Sequence, residues 1–105
     1  MAQWDVYLNP SPRQRAEVPY LVVVQSDLLD VLLTRLVVPL VRPLPGRATL
    51  PSRMSPQLDV QGEPVLLLPQ EAGPIAARLL KDLVGTLRPE SHRIVDALDA
   101  VISGL

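Results

Sequence analysis

Two β-branched apolar runs constrain this chain more than any other feature. They are Tyr20 to Gln25 (Tyr-Leu-Val-Val-Val-Gln) and Arg35 to Arg42 (Arg-Leu-Val-Val-Pro-Leu-Val-Arg). Both are short, and both are rich in residues that pack well on a pleated surface, so both read as strands. The first is apolar without interruption, which predicts burial on both faces of a sheet. The second carries Pro39 in its middle. Proline cannot donate to a ladder, so this strand is expected at a sheet edge or at a bulge. Between the runs stands a polar pivot, Gln25-Ser26-Asp27, and then Val31-Leu32-Leu33. Ser26 and Asp27 read as caps of a turn. The three aliphatic residues make a loop too apolar to be left in water. It is expected to fold back on the core or to meet another chain.

The flanking segments are read by the same rules. Ala2, Trp4, Val6 and Leu8 alternate with polar or larger neighbours, the period of a half-buried strand that Asn9-Pro10-Ser11-Pro12 ends. Arg13 to Pro19 is a polar arm. Its Arg13 and Arg15 are either solvated or a contact for an acidic partner. Pro43, Pro45, Gly46, Pro51 and Pro56 make residues 43–56 an irregular connection. It is not an interdomain linker, because neither side is long enough to bury a separate core. Gln57 to Gln61 and Pro64 to Leu68 form a hairpin turning at Gly62. From Ile75 to Val84 the spacing of Ile75, Leu79, Leu80 and Leu83 predicts a helix, bracketed by Gly73-Pro74 and Gly85. A final helix is predicted from Pro89, with an apolar stripe of Ile94, Leu98, Val101 and Leu105 widened by Val95 and Ile102. Asp99 and the terminal carboxylate oppose the helix dipole there, and Gly104 lets the backbone leave helical geometry.

Bulk properties exclude several classes. A chain of 105 residues suits one domain, 1–105. With no Phe, one Trp and two Tyr, its core must be aliphatic. Zero Cys excludes disulfides and thiolate metal sites. No targeting segment is visible, and no apolar run approaches the roughly 20 residues of a spanning helix, so a cytoplasmic chain away from the membrane is expected. The net charge of −1 and a pI near 5.7 argue against nucleic acid as a direct, standalone partner. The lone histidine, His92, has Glu90 and Asp96 near it in sequence, but a helix spreads Glu90 around its circumference, and His92 reads as a surface residue. Asp27 and Asp30 read as turn formers rather than a carboxylate pair. No phosphate loop, metal-spaced histidine pair or nucleophile elbow occurs, so neither cofactor nor metal nor catalytic residue is expected.

Four segments together resemble the CcdB family of toxins from bacterial toxin–antitoxin modules. They are Val6-Tyr7, the run Val24-Gln25-Ser26-Asp27-Leu28-Leu29-Asp30, the run Arg35-Leu36-Val37-Val38-Pro39-Leu40, and the terminal helix through Ile94, Ala97 and Leu98 to Ser103-Gly104-Leu105. The resemblance covers nearly the full length. It implies a mainly β fold with one C-terminal α-helix: an SH3-like, CcdB-type antiparallel barrel-like sheet with a small side sheet. It implies a strand near Ile75 to Leu79, against the helical spacing. It also implies a non-enzymatic homodimer used in plasmid maintenance. Such a toxin inhibits DNA gyrase by binding its A subunit, is neutralised by a CcdA-like antitoxin, and represses its own operon with that antitoxin. By position, Ile102, Ser103, Gly104 and Leu105 would be the gyrase-binding tail. The family's tail carries a tryptophan where this chain has Ser103, and serine cannot stack. Alternatives are an endoribonuclease toxin of related fold and a member that binds only its antitoxin. A third reading has Leu105 closing on its own core.

Overall fold

The computed structural model describes residues 2–46 and 50–104. Among them seven strands pair into one curled antiparallel half-barrel, closed on one side by a C-terminal helix. The strands are β1 (Asp5–Leu8), β2 (Tyr20–Val23), β3 (Thr34–Val41), β4 (Gln57–Val60), β5 (Glu63–Leu67), β6 (Gly73–Ala76) and β7 (Leu83–Thr86), and the helix is α1 (Ser91–Ser103). The order across the sheet is β4-β5-β3-β2-β1-β7, with β6 also on β3. The β4–β5 hairpin is a lateral wing that joins β3 only at Leu40–Leu67 and Val41–Leu66.

β2 shows why its run is apolar throughout. Val22 packs into the larger core, with Val38, Leu40, Val65, Leu67 and the helix residues Ile94 and Ala97. Its neighbours Leu21 and Val23 point the other way, into a smaller cluster with Tyr7, Val37 and Leu80. Alternate side chains thus serve two cores, as a two-period strand requires. β1 does the same with Val6 and Tyr7. It is shorter than the alternation suggests. Residues 2–5 form a turn in which the Asp5 N–H donates to the Ala2 carbonyl, and Trp4 takes a positive φ of 75° while remaining buried.

Pro39 lies in a central strand, not at an edge or bulge. The Val24 N–H donates to the Leu36 carbonyl at 3.0 Å, and bonded and non-bonded pairs alternate along an antiparallel ladder. The Leu21–Pro39 pair is therefore non-bonded, and the proline nitrogen faces the opposite side. There β6 covers residues 34–37 and β5 covers 40–41, so position 39 falls in the gap between two partner strands. No donor is wanted at that point, while the Pro39 carbonyl still accepts the Leu68 N–H at 3.1 Å.

Ile75 to Val84 is not an α-helix. β6 takes Ile75 into the sheet opposite Arg35, a 3₁₀ turn follows over Ala77–Leu79, and β7 begins at Leu83. The edge of β3 offered ladder partners, and tertiary pairing overrode a local periodicity that was only about two turns long. The hairpin does turn where its glycine stands, with Gln61 at φ 52° and Gly62 at φ 80°. Nothing lies within 4 Å of a Cβ built on Gly62, so its constraint is conformational. Gly62→Ala is expected to cost about 1 kcal/mol and to lower Tm by roughly 4–8 °C, measured by thermal unfolding.

The helix starts after a 3₁₀ turn over Arg88–Glu90 that contains Pro89. Its buried face is Ile94, Ala97 and Ala100 rather than Ile94, Leu98 and Val101. The helix backbone approaches the 3₁₀ turn Pro69–Glu71 rather than a strand, and its small buried residues suit that approach. Leu98 is left half-buried, and Val95, Val101 and Ile102 are exposed.

Candidate functional site

Two apolar features are the most exposed among the described residues. The first is the end of α1, where Ile102 is 83% exposed. Gly104 closes the helix at φ 74°, its N–H donating to the Ala100 carbonyl at 2.8 Å, a left-handed glycine cap. The helix tip is therefore capped as well as apolar. The Ser103 hydroxyl donates to the Asp99 carbonyl at 2.7 Å, a bond back to the preceding turn. The described part of the expected tail thus stands free of the core at Ile102 and is held in a defined geometry at Gly104. Leu105 lies outside the described residues.

The second feature is the connection between β2 and β3, whose apolar 31–33 loop was expected to fold back on the core or to meet another chain. It does not fold back on the core. Leu28 is 90% exposed, Val31 88% and Leu33 88%, with Leu29 and Leu32 about half exposed. The polar pivot explains how such a segment keeps its shape. The Ser26 hydroxyl accepts the Leu28 N–H at 3.2 Å and caps the 3₁₀ turn Asp27–Leu29. Asp27 does not cap locally: its Oδ1 accepts the Gln3 N–H at 2.8 Å and ties the pivot to the N-terminal turn. Gln25 bridges the loop's two ends. Its amide nitrogen donates to the Thr34 carbonyl at 3.1 Å and the Leu29 carbonyl at 3.3 Å, and its oxygen accepts the Leu36 N–H at 3.0 Å.

Several cations are occupied in holding backbone or acids. The Arg15 Nε donates to the Asn9 carbonyl at 2.6 Å, so it braces its own arm. Arg42 pairs with Glu63 at 2.7 Å and donates to the Arg15 and Ala16 carbonyls. Arg93 pairs with Glu90 and reaches the Gln57 carbonyl. Arg13 is exposed on the rim of a cleft of about 800 Å³ between this arm and β6. A smaller cleft of about 520 Å³ lies beside Leu44 and Leu66. Neither cleft is lined by any residue of the 28–33 loop or of the helix end.

His92 is exposed on the first turn of α1, and no cluster of metal-ligating side chains occurs among the described residues. The Tyr7 hydroxyl is raised above its ordinary pKa by burial and then by the Asp5 charge, with the Arg35 guanidinium opposing. A phenol held neutral in this way packs the smaller core and is not poised as a base. What the surface presents is aliphatic contact area, which suits recognition of another macromolecule.

Fold and surface together define a small, mainly antiparallel β protein that exposes aliphatic contact area at the helix end and at the connection between β2 and β3. Residues 3–104 match the model of the CcdB protein family, and the chain belongs to that family. Membership implies the toxin of a toxin–antitoxin pair, a class that generally acts by poisoning gyrase through binding. Comparison with curated proteins gave no match. No helix among the described residues is long and apolar enough to cross a membrane.

Proposed function

We propose that this chain, as one domain spanning 1–105, is a non-enzymatic toxin that docks on the A subunit of DNA gyrase and arrests the enzyme. It acts as a cytoplasmic homodimer. A CcdA-like antitoxin neutralises it and joins it in repressing their operon. The tail Ile102, Ser103, Gly104 and Leu105 is the proposed gyrase contact, and the exposed loop Leu28 to Leu33 adds a second apolar contact. The observation that carries the reading is Ile102, 83% exposed on a helix whose end is fixed by a left-handed glycine. A large aliphatic residue held in water on a rigid support is poor for stability and well suited to a partner's pocket.

An endoribonuclease would need free cations along a groove. Here Arg15, Arg42 and Arg93 are engaged with carbonyls or carboxylates, and Arg13 on the cleft rim is offset by Glu17 and Glu71 in the same lining, which favours the binding reading. One observation favours a chain that binds only its antitoxin: Ser103 folds back on the Asp99 carbonyl where the family pattern places a stacking tryptophan. The deciding experiment incubates the purified chain with gyrase, supercoiled DNA and ATP. Protein-linked double-strand breaks are expected to accumulate with toxin concentration. Absence of breaks and of binding to the gyrase A subunit, together with intact antitoxin binding, selects the second reading. Cleavage of single-stranded RNA overturns both.

A further inference from the structure

One buried residue sits in a backbone conformation that its type avoids. Trp4 has φ 75°, in the left-handed region, and is 7% exposed. Glycine is the ordinary occupant of that region, and a bulky side chain there is strained. The side chain nevertheless belongs to the larger core, with Val24, Leu87, Ile94 and Ala97, a role that glycine cannot fill.

Strain of this kind persists only where the surroundings over-determine it. Here they do so from two sides. Toward the end of β2, the Trp4 N–H donates to the Val23 carbonyl at 2.6 Å, and the Gln3 side-chain amide donates to the Val24 carbonyl at 3.2 Å. On the same side the Gln3 N–H donates to Asp27 Oδ1 at 2.8 Å. Toward α1, the Trp4 carbonyl accepts the Leu87 N–H at 2.8 Å, and the Gln3 carbonyl accepts a longer bond from Arg88 Nη2 at 3.4 Å. The turn also closes on itself, since the Ala2 N–H donates to Asp5 Oδ2 at 2.9 Å. Gln3 and Trp4 thus join two segments that are distant in sequence: the polar pivot after β2 and the residues that lead into the helix.

We propose that the turn at residues 2–5 is a strained coupler, which holds the pivot and the entry to α1 in one arrangement and frees the entry when the pivot moves. Trp4 stays left-handed only while the bonds on both sides are made. Loss of the pivot bonds lets its φ return to the extended region, and that rotation turns its carbonyl away from the Leu87 N–H. A single element with two arrangements, biased from both ends, is what coupling between separate sites requires. No partner is needed for it. Stability alone does not call for a left-handed tryptophan, because an extended residue at position 4 would carry the same side chain without strain.

The test reads Asp27→Ala in the full chain by amide hydrogen exchange and by fluorescence. Trp4 is the single tryptophan, so emission reports the turn alone. Asp27 is exposed, so its truncation leaves the core intact. Exchange at Gln3, Trp4 and Leu87 is expected to rise about tenfold or more, as befits the loss of a hydrogen bond to a charged acceptor. Acrylamide is expected to quench Trp4 more strongly, while Val22 and Val38 in the sheet stay protected. Asp27→Asn keeps an acceptor oxygen and is expected to behave as the parent. Ser26→Ala removes only the acceptor of the Leu28 N–H and is expected to leave Leu87 and the emission unchanged. Faster exchange at Gln3 with Leu87 unchanged overturns the proposal, because the turn then yields locally. Faster exchange at Leu87 in Ser26→Ala overturns it too, as does a loss of protection spread over the whole sheet. Should Asp27→Ala not fold, Gln3→Ala, which gives up the side-chain bond to Val24, carries the same comparison.

Discussion

A chain lacking Gly104 and Leu105 is expected to lose growth arrest and keep its fold. The two residues follow the last helical position, and Gly104 belongs to neither core cluster. Their removal gives up the bond from the Gly104 N–H to the Ala100 carbonyl and the left-handed cap. Losing a helix cap costs about 1 kcal/mol, so Tm should fall by roughly 4–8 °C while the fold persists. Activity should fall much further. Interface anchors that cost about 2 kcal/mol or more when truncated correspond to about thirty-fold in affinity, and removal of the whole tip should exceed that. Colony formation on inducing medium, beside thermal unfolding of the purified protein, measures both. Ile102→Ser separates side chain from chain length, because Ile102 is 83% exposed and its loss costs the fold little. Growth arrest by the shortened chain, at parental expression, would falsify the tail mechanism.

The largest effect on stability is expected at Ile94. It is fully buried and packs in the larger core with residues from the central strands and from the lateral wing. Ile94→Ala removes apolar area and leaves a cavity in a close-packed interior, at about 2–5 kcal/mol. Domains of this size are stable by about 5–15 kcal/mol, so the variant should lose from about 10 to 30 °C in Tm. Val95, the next residue, is exposed, and Val95→Ala should stay near about 0.5 kcal/mol. Ala100→Leu supplies the converse test. Ala100 is 1% exposed, so the larger side chain should cost about 1–3 kcal/mol by overpacking. An Ala100→Leu protein more stable than the parent would mean that the helix packs in the phase its large residues suggest and not on its alanines.

That phase shows where a sequence misleads. Leu98, Val101 and Leu105 carry most of the hydrophobic signal of the terminal segment, and Ala97 and Ala100 carry little. The core nevertheless accepted the alanines, because small residues permit close approach of the helix to the 3₁₀ turn Pro69–Glu71 beneath it. Val101 and Ile102 were left for the surface, where their exposure becomes the clue to a docking end. Ser26 behaved as its type suggests, since a hydroxyl beside a free N–H needs no distant partner. Asp27 and Gln25 did not act only locally, because their donors and acceptors arrive from Gln3, Thr34 and Leu36.

What the sequence determined by itself is what depends on neighbours along the chain. It determined two β-branched strands, the two-faced burial of the first of them, the turn at Gly62, a terminal helix ended by Gly104, and an apolar 31–33 loop unsuited to water. Tertiary structure alone decided the location of Pro39 in the gap between β5 and β6, the rotation of α1 onto its alanines, and the placing of Arg35 under the carbonyls of Asp30, Leu32 and Thr34. It also decided against the helical spacing at Ile75, since the strand Gly73–Ala76 forms on the free edge of β3. Each of these depends on which edge, cavity or acceptor another segment happens to offer. Such offers exist only once the sheet has closed, and no periodicity along a single segment encodes them.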